Sequence, residues 1–292
     1  MPLLILIAVA LVAGLGAGVL AWHFTRPRRS LAAAAHAGEA AGEAVEDHPG
    51  LRRRLLHARL DPERATGLAL TLALVVIVAG GVVLGVLAYL VRSKTGLVEW
   101  DRSVAVWGND HATAFSTSII GAISDAAQPW SIAGMAIVLG VVLTLRTRTW
   151  APALFLLCVV GGNSIVTTTI KNLADRVRPD LNSIAATLGP SFPSGHSSHS
   201  AAFFAAAALL LGRHLHRRGR AALAGLAVGL AVAVAASRVM LAEHWLSDVV
   251  AGLALGWAWF SVCAIAFGGR LLSFGAGARA ARTEARRAAQ PV

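Results

Sequence analysis

The chain has 292 residues, 56% of them hydrophobic, and a mean hydropathy of +0.66, which is more apolar than a water-soluble core requires. A formal charge of +11 would suit nucleic acid, but most of the basic residues sit in short clusters beside apolar runs, where they set orientation and meet anionic headgroups, so no nucleic-acid partner is expected. The two cysteines, Cys158 and Cys263, lie inside apolar runs and support neither a disulfide framework nor a cysteine metal site.

Several apolar runs approach the roughly 20 residues that cross about 30 Å of hydrocarbon as a helix. The first, Leu3 to Trp22, lacks the basic start of a secretory signal and is followed by Arg26, Arg28 and Arg29, so residues 1–25 are expected to form an extra membrane span entering from outside. Residues 26–67, alanine-rich with Arg52, Arg53 and Arg54 in a row, suit a cytoplasmic linker or surface helix. Leu68 to Val91 opens the main bundle, and its Gly80, Gly81 and Gly85 are expected to let neighbouring helices approach closely. Arg92 to Gln128 is mixed in character, holding Trp100, Asp101, Trp107, Asp110 and His111, and fits an external segment of short interfacial helices. Further spans are expected at Trp130 to Leu145, Trp150 to Ile170, Ser198 to Leu211, Ala221 to Ala236 and Leu246 to Phe267. The architecture expected is an all-α polytopic membrane helix bundle: a six-span domain over 68–268, one extra N-terminal span, and a basic cytoplasmic tail over 269–292.

Cytoplasmic flanks are enriched in Lys and Arg. Seven spans in this order put Arg26 to Arg64, Arg146 and Arg148, Arg213 to Arg220 and Arg270 to Arg287 on one face, 19 of the 26 basic residues. That face is cytoplasmic. The 7 left outside are Arg92, Lys94, Arg102, Lys171, Arg176, Arg178 and Arg238. Lys94 and Lys171 are the only lysines against 24 arginines, so Lys171 invites a specific explanation.

Three segments on the outer face carry candidate chemistry. In Lys171-Asn-Leu-Ala-Asp-Arg-Val-Arg178-Pro179 the two cations are seven residues apart, close to two helical turns, so both can point to one side before Pro179 ends the pattern. Alone, that segment reads equally as a charged helix end at the headgroups. In Phe192-Pro193-Ser194-Gly195-His196, Ser194 is placed to cap the next helix, Gly195 lets backbone approach a ligand, and the free N–H groups of a helix start favour an anion. In Ser237-Arg238 through His244 to Asp248, the i, i+4 spacing on a helix lets the Asp248 carboxylate accept a hydrogen bond from one imidazole nitrogen and leave the other free to attack. Each has a purely structural reading by itself. Their joint placement at one membrane face, fixed by topology alone, is what singles them out.

In order and spacing these residues resemble the three signature motifs of the type 2 phosphatidic acid phosphatase superfamily: Lys-x6-Arg-Pro, then Pro-Ser-Gly-His, then Ser-Arg-x5-His-x3-Asp. Every defining position matches, and the resemblance spans about Leu68 to Phe267. It implies that His244 attacks phosphorus while Asp248 holds its ring, that His196 protonates the departing oxygen, and that water then cleaves a phosphohistidine. Lys171, Arg178 and Arg238, with Ser194 and the Gly195 N–H, would hold the phosphoryl oxygens, and neither metal nor cofactor would be needed. The implied substrate is a lipid phosphate monoester such as phosphatidic acid or phosphatidylglycerol phosphate, or an isoprenoid diphosphate such as undecaprenyl diphosphate. The haloperoxidases of the same superfamily are mostly soluble, and the spans argue against that branch. Two alternatives stay open: a non-catalytic lipid-phosphate carrier, and the same chemistry on a soluble phosphate ester.

Other polar residues have quieter expectations. His199, one turn past His196, is expected to make a polar contact inside the bundle rather than touch substrate, and Asn163, Ser164, Thr167, Thr168 and Thr169 to form interhelical hydrogen bonds or else a polar approach to the site. Glu243 either repels phosphate or steers its orientation. Asp175 and Asp180 either balance charge beside Arg178 or help select a headgroup.

Overall fold

The computed structural model describes residues 1–24, 65–93, 96–181 and 189–272. They form nine α-helices and no strand: α1 (Pro2–Phe24), α2 (Ala65–Arg92), α3 (Leu97–Asp110), α4 (Ala114–Ala126), α5 (Pro129–Thr147), α6 (Ala151–Ala174), α7 (Gly195–Gly212), α8 (Arg217–Met240) and α9 (Leu246–Leu272). Most of the expected 26–67 linker and the tail beyond residue 272 lie outside the described residues. Helices α1, α2, α5, α6, α8 and α9 are each long and apolar enough to cross a membrane. The expected external segment is the pair α3 and α4. Thr113 and Ser116 exchange a capping box that starts α4, and Pro129 at the first turn of α5 fits a position where the missing N–H costs nothing.

The seventh expected span, α7, falls short on composition because it opens Gly-His-Ser-Ser-His-Ser. Its position explains why that is tolerated. Helix α7 packs against α5, α6, α8 and α9, and Ser197, Ser198, Ser200, Ala201, Ala202 and Ala206 are wholly buried. Its polar side chains meet other helices instead of lipid. Below them Phe203 and Ala206 join Ile132 of α5, Phe155, Leu156 and Val159 of α6 and Cys263 of α9 in the apolar core, where Phe155 meets Phe260 and Phe267 edge-on.

Between helices in lipid there is no hydrophobic drive to associate, so close packing of small residues must hold them. At α9 against α7, a Cβ on Gly252 would lie 2.5 Å from the Ser194 carbonyl oxygen, and one on Gly256 would lie 2.3 Å from that of Ser198. The two backbones touch. Helix α1 is seated on α8 in the same way, with Gly14 facing Gly225 and Gly229. There the Arg217 guanidinium donates to the Trp22 carbonyl and stacks over its ring, so the end of α1 lies beside the start of α8. In α2 only Gly80 makes such a contact, on Ala254 and Ala258 of α9. Gly81 and Gly85 face open space, which corrects the expectation that all three serve helix packing. Three glycines within six residues cannot share one helix face.

Candidate active site

The last turn of α6 carries Lys171, and the helix stops three residues later because Asp175 takes the left-handed conformation (φ 41°) and returns its N–H to the Lys171 carbonyl. Arg176 to Arg178 are therefore not helical, and the expected two-turn spacing of Lys171 and Arg178 on one helix does not form. Instead the segment runs beside residues 189–191. Ser191 N–H donates to the Arg176 carbonyl at 2.8 Å, Ser191 Oγ to that of Val177 at 3.2 Å, and Arg178 Nε to that of Gly189 at 2.9 Å. This turns Arg178 inward, where it is 8% exposed and donates from Nη1 to the Glu243 carbonyl (2.8 Å) and His244 Nε2 (3.1 Å). The cations still converge: Lys171 Nζ donates to the Pro190 carbonyl at 2.5 Å, with Arg178, Arg238 and Asp248 as its charged neighbours. Asp175 and Asp180 both stay exposed.

Ser194 caps α7 as expected, its hydroxyl oxygen accepting from Ser197 Oγ at 3.1 Å and from Ser197 N–H at 3.5 Å. Its own N–H donates to the Asp248 carbonyl at 2.9 Å, pinning the start of α7 to the start of α9. Nothing lies closer than the Lys171 Cε, 3.9 Å away, to where a Gly195 side chain would begin. A helix start with free N–H groups thus faces the lysine across a small gap. His196 follows, its Nε2 buried without a hydrogen-bond partner, with Arg238, His244 and Arg178 among its charged neighbours.

The last turn of helix α8 carries Arg238, which is 3% exposed and donates to Ser124 Oγ of α4 and to the Glu243 carboxylate. Glu243 thereby steers the arginine. Ala242 sits at φ 52°, and this tight return lets the N–H groups of Glu243 and His244 both reach the Arg238 carbonyl (3.1 and 3.3 Å). His244 lies in this return, two residues before α9, so it does not share a helix with Asp248 as the spacing suggested. The pairing survives by another route. Asp248 is the third residue of α9, and its Oδ2 reaches back to the Trp245 N–H at 3.0 Å and to His244 Nδ1 at 3.4 Å, half of a capping box.

The imidazole tautomer follows from its partners. A guanidinium can only donate, so His244 Nε2 facing Arg178 must present its lone pair, and the proton sits on Nδ1 toward Asp248. Burial pushes the His244 pKa down to about 4, with Arg178 and Lys171 adding to that and Asp248 opposing it, so the ring is neutral at pH 7. Burial likewise lowers the pKa of Arg178, against the pull of Asp248.

Four participants were missed from the sequence. Arg176 Nη1 donates to Asp248 Oδ1 (2.6 Å) and Ser247 Oγ (2.7 Å), and Nη2 donates to Asp101 Oδ2 (2.8 Å). Asp101, 1% exposed on α3, also accepts from the Ser247 N–H at 2.9 Å and from its hydroxyl at 2.5 Å. Trp245 lies against the guanidinium at 5.4 Å. The available signal was Arg176 as one of the few outer cations. His199 behaves as expected, bridging Ser164 Oγ and the Gly195 carbonyl at 2.7 Å each, while Ser198 Oγ donates to Asn163 Oδ1.

Residues 152–271, which hold all of these positions except Asp101 and Ser124, match the model of the PAP2 superfamily. Over that stretch, less than half of its length, the chain is similar to the PAP2 superfamily. It is similar to phosphatidylglycerophosphatase B of Bacillus subtilis (33% identical over 125 residues, 41% of this chain and 60% of the relative). It is similar also to lipid A 1-phosphatase of Rhizobium johnstonii (40% over 118 residues, 37% and 44%) and decaprenylphosphoryl-5-phosphoribose phosphatase of Mycobacterium tuberculosis (35% over 130 residues, 42% and 63%). The aligned stretches span less than two thirds of these relatives. The crystal structure of a transmembrane PAP2 type phosphatidylglycerolphosphate phosphatase from Bacillus subtilis shares the fold, with a TM-score of 0.60 at 24% identity over 66% of this chain and 96% of that one.

Proposed function

We propose that this protein is a membrane-integral, metal-independent phosphatase of the PAP2 kind that hydrolyses a lipid phosphate monoester or isoprenoid diphosphate through a phosphohistidine on His244, at the extracytoplasmic face. The observation that carries the reading is the His244 ring: neutral, with its proton directed at Asp248 and its lone pair directed at a cationic pocket. A phosphoryl group entering between His244 and Arg178 would take over the Arg178 donors and meet Nε2 in line for attack. Lys171, Arg178 and Arg238, the Ser194 hydroxyl and the N–H groups of Gly195 and His196 would hold the phosphoryl oxygens there and offset the charge of the transition state. The P–O bond to the alcohol breaks as the P–N bond forms, and His196 gives the leaving oxygen its proton. Water then attacks phosphorus with His196 taking its proton, the P–N bond breaks, and inorganic phosphate leaves.

The extracytoplasmic placement rests on the basic-residue count, and the lipid substrate on the site lying at the ends of lipid-facing helices and on the printed activities of the relatives. The test is phosphate release by purified protein in EDTA from phosphatidic acid, phosphatidylglycerol phosphate and undecaprenyl diphosphate, with His244→Ala as control. Turnover in EDTA that disappears in the variant, with acid-labile phosphate trapped on the wild-type protein, is the expected result. An absolute need for a divalent metal, or an active His244→Ala, would overturn the mechanism. Tight lipid-phosphate binding with no release would make the protein a carrier.

A further inference from the structure

Asp248 has no exposed surface, and each of its oxygens is committed: Oδ1 to Arg176, Oδ2 to the Trp245 N–H and His244. Arg176 in turn is fixed from three elements, by Asp248 and Ser247 of α9, by Asp101 of α3 and by the Trp245 ring. A guanidinium between two buried carboxylates presents its fork to both at once, a geometry that an ammonium cannot copy. We propose that Arg176, clamped between Asp101 and Asp248, is a positioning residue that fixes the Asp248 carboxylate and sets how firmly it holds the His244 ring and its Nδ1 proton. The proposal rests on His244 being the nucleophile.

The charges around the ring give the sign. His244 faces Asp248 of α9, Arg178 of the segment after α6, Lys171 of α6 and His196 of α7. Asp248 faces His244, Arg176, Arg178 and Lys171, and Arg238 of α8 is paired with Glu243. Arg176 is the one cation in hydrogen-bonded contact with Asp248 among the described residues. Without it, the full carboxylate charge would act on the imidazole and favour the imidazolium, which has no lone pair to offer phosphorus. With Asp101 neutralised instead, the guanidinium would draw more on Asp248 and the imidazolium would be disfavoured further. A purely structural pin would lower stability in both variants and leave the protonation of the ring where it was.

The experiment uses the full chain in detergent, comparing wild type with Arg176→Gln, Arg176→Lys and Asp101→Asn. Titration of nitrogen-15-labelled histidine, with the His244 signal assigned by its loss in His244→Asn, reads ring protonation without any substrate. Arg176→Gln should raise the His244 midpoint by about one pH unit or more and Asp101→Asn should not raise it. The acid limb of kcat/KM for lipid phosphate release should move with the midpoint, and kcat should fall roughly tenfold or more with KM within about twofold. If Arg176→Gln does not fold, Arg176→Lys decides: it keeps the charge but cannot span both carboxylates, so kcat should drop several-fold at unchanged KM. An unmoved midpoint in folded Arg176→Gln, wild-type kcat in Arg176→Lys, or a rise in KM alone would overturn the inference. A shifted midpoint in protein that releases no phosphate would leave the Arg176 clamp standing and sink the phosphatase reading, so the two failures are distinct.

Discussion

Helices α1 and α7 have comparable length, 23 and 18 residues, and opposite environments. Along α1 large apolar residues such as Leu4, Leu11, Val12 and Leu15 stand exposed to lipid, whereas α7 buries Ser197, Ser198, Ser200 and His199 among other helices. Hydropathy detects the helix that meets the bilayer and undervalues the one sheathed by protein, because only the former has to satisfy hydrocarbon. The sheathed helix is free to carry polar groups, and the proposed site lies at its end. The same glycine contact serves both places, Gly256 of α9 on α7 and Gly225 of α8 on α1. One substitution made at each seam separates what the contact does at the site from what it does away from it.

The largest effect is expected at the inner seam. In Gly256→Leu the new side chain would begin 2.3 Å from the Ser198 carbonyl and 2.8 Å from Ala201 Cβ, both on a wholly buried stretch with nowhere to move. Overpacking of this kind costs about 1–3 kcal/mol or more, and here it also parts Ser194 from Asp248. Loss of monodisperse protein in detergent gel filtration, or folded protein with no phosphate release, is expected. A variant with normal activity would mean the α7–α9 distance does not set the site.

A smaller effect should follow from acting on α7 without moving it. His196→Asn keeps a polar side chain at the helix start and removes the proton carrier, so kcat should fall by about 10²–10⁴ with KM little changed, read as phosphate release at pH 7. A change in KM alone would make His196 a binding residue. Milder still is the effect of pH on the nucleophile. His244 has its pKa lowered to about 4, so the neutral, attacking ring is present above that value and is lost as pH falls through it. Between pH 7 and 5 its ionisation should leave kcat/KM nearly flat, and below pH 4 the rate should fall about tenfold per unit. The sign for stability agrees: a histidine of depressed pKa costs the folded state nothing above its unfolded value of about 6.5, and stability declines as pH drops from there toward 4. An activity limb near pH 6.5 would show that the ring is not buried as described.

How far the sequence could be read depended on whether a residue acts through its type or through its neighbours. Lys171, Arg178, His196, Arg238, His244 and Asp248 could be named as candidates because charge, order and spacing mark them without any knowledge of packing. The local geometry attached to them was less legible. Asp175 in the left-handed region and the return at Ala242 take Arg178 and His244 off the helices that their spacing suggested, and long-range bonds to Gly189 and Glu243 restore the convergence. Arg176 and Asp101 lie 75 residues apart in sequence and become partners only when α3 docks on the start of α9. Gly80, Gly81 and Gly85 show the same limit from the other side. Composition identified the stripe, but which glycine touches a helix depends on the face that α9 happens to meet.

The smallest effect belongs to the outer seam. A Cβ on Gly225 would lie 2.6 Å from the Gly14 carbonyl, so Gly225→Leu must push α1 off α8 in that turn, much as Gly256→Leu does between α9 and α7. Yet α1 has lipid on its far side and can yield, and Gly225 lies 13 residues before Arg238, more than three turns from the site. Heat tolerance in detergent should drop by a few degrees while kcat/KM stays within about twofold of wild type. A loss beyond about tenfold in folded protein would show that α1 shapes the pocket, and the two seams would then be parts of one site.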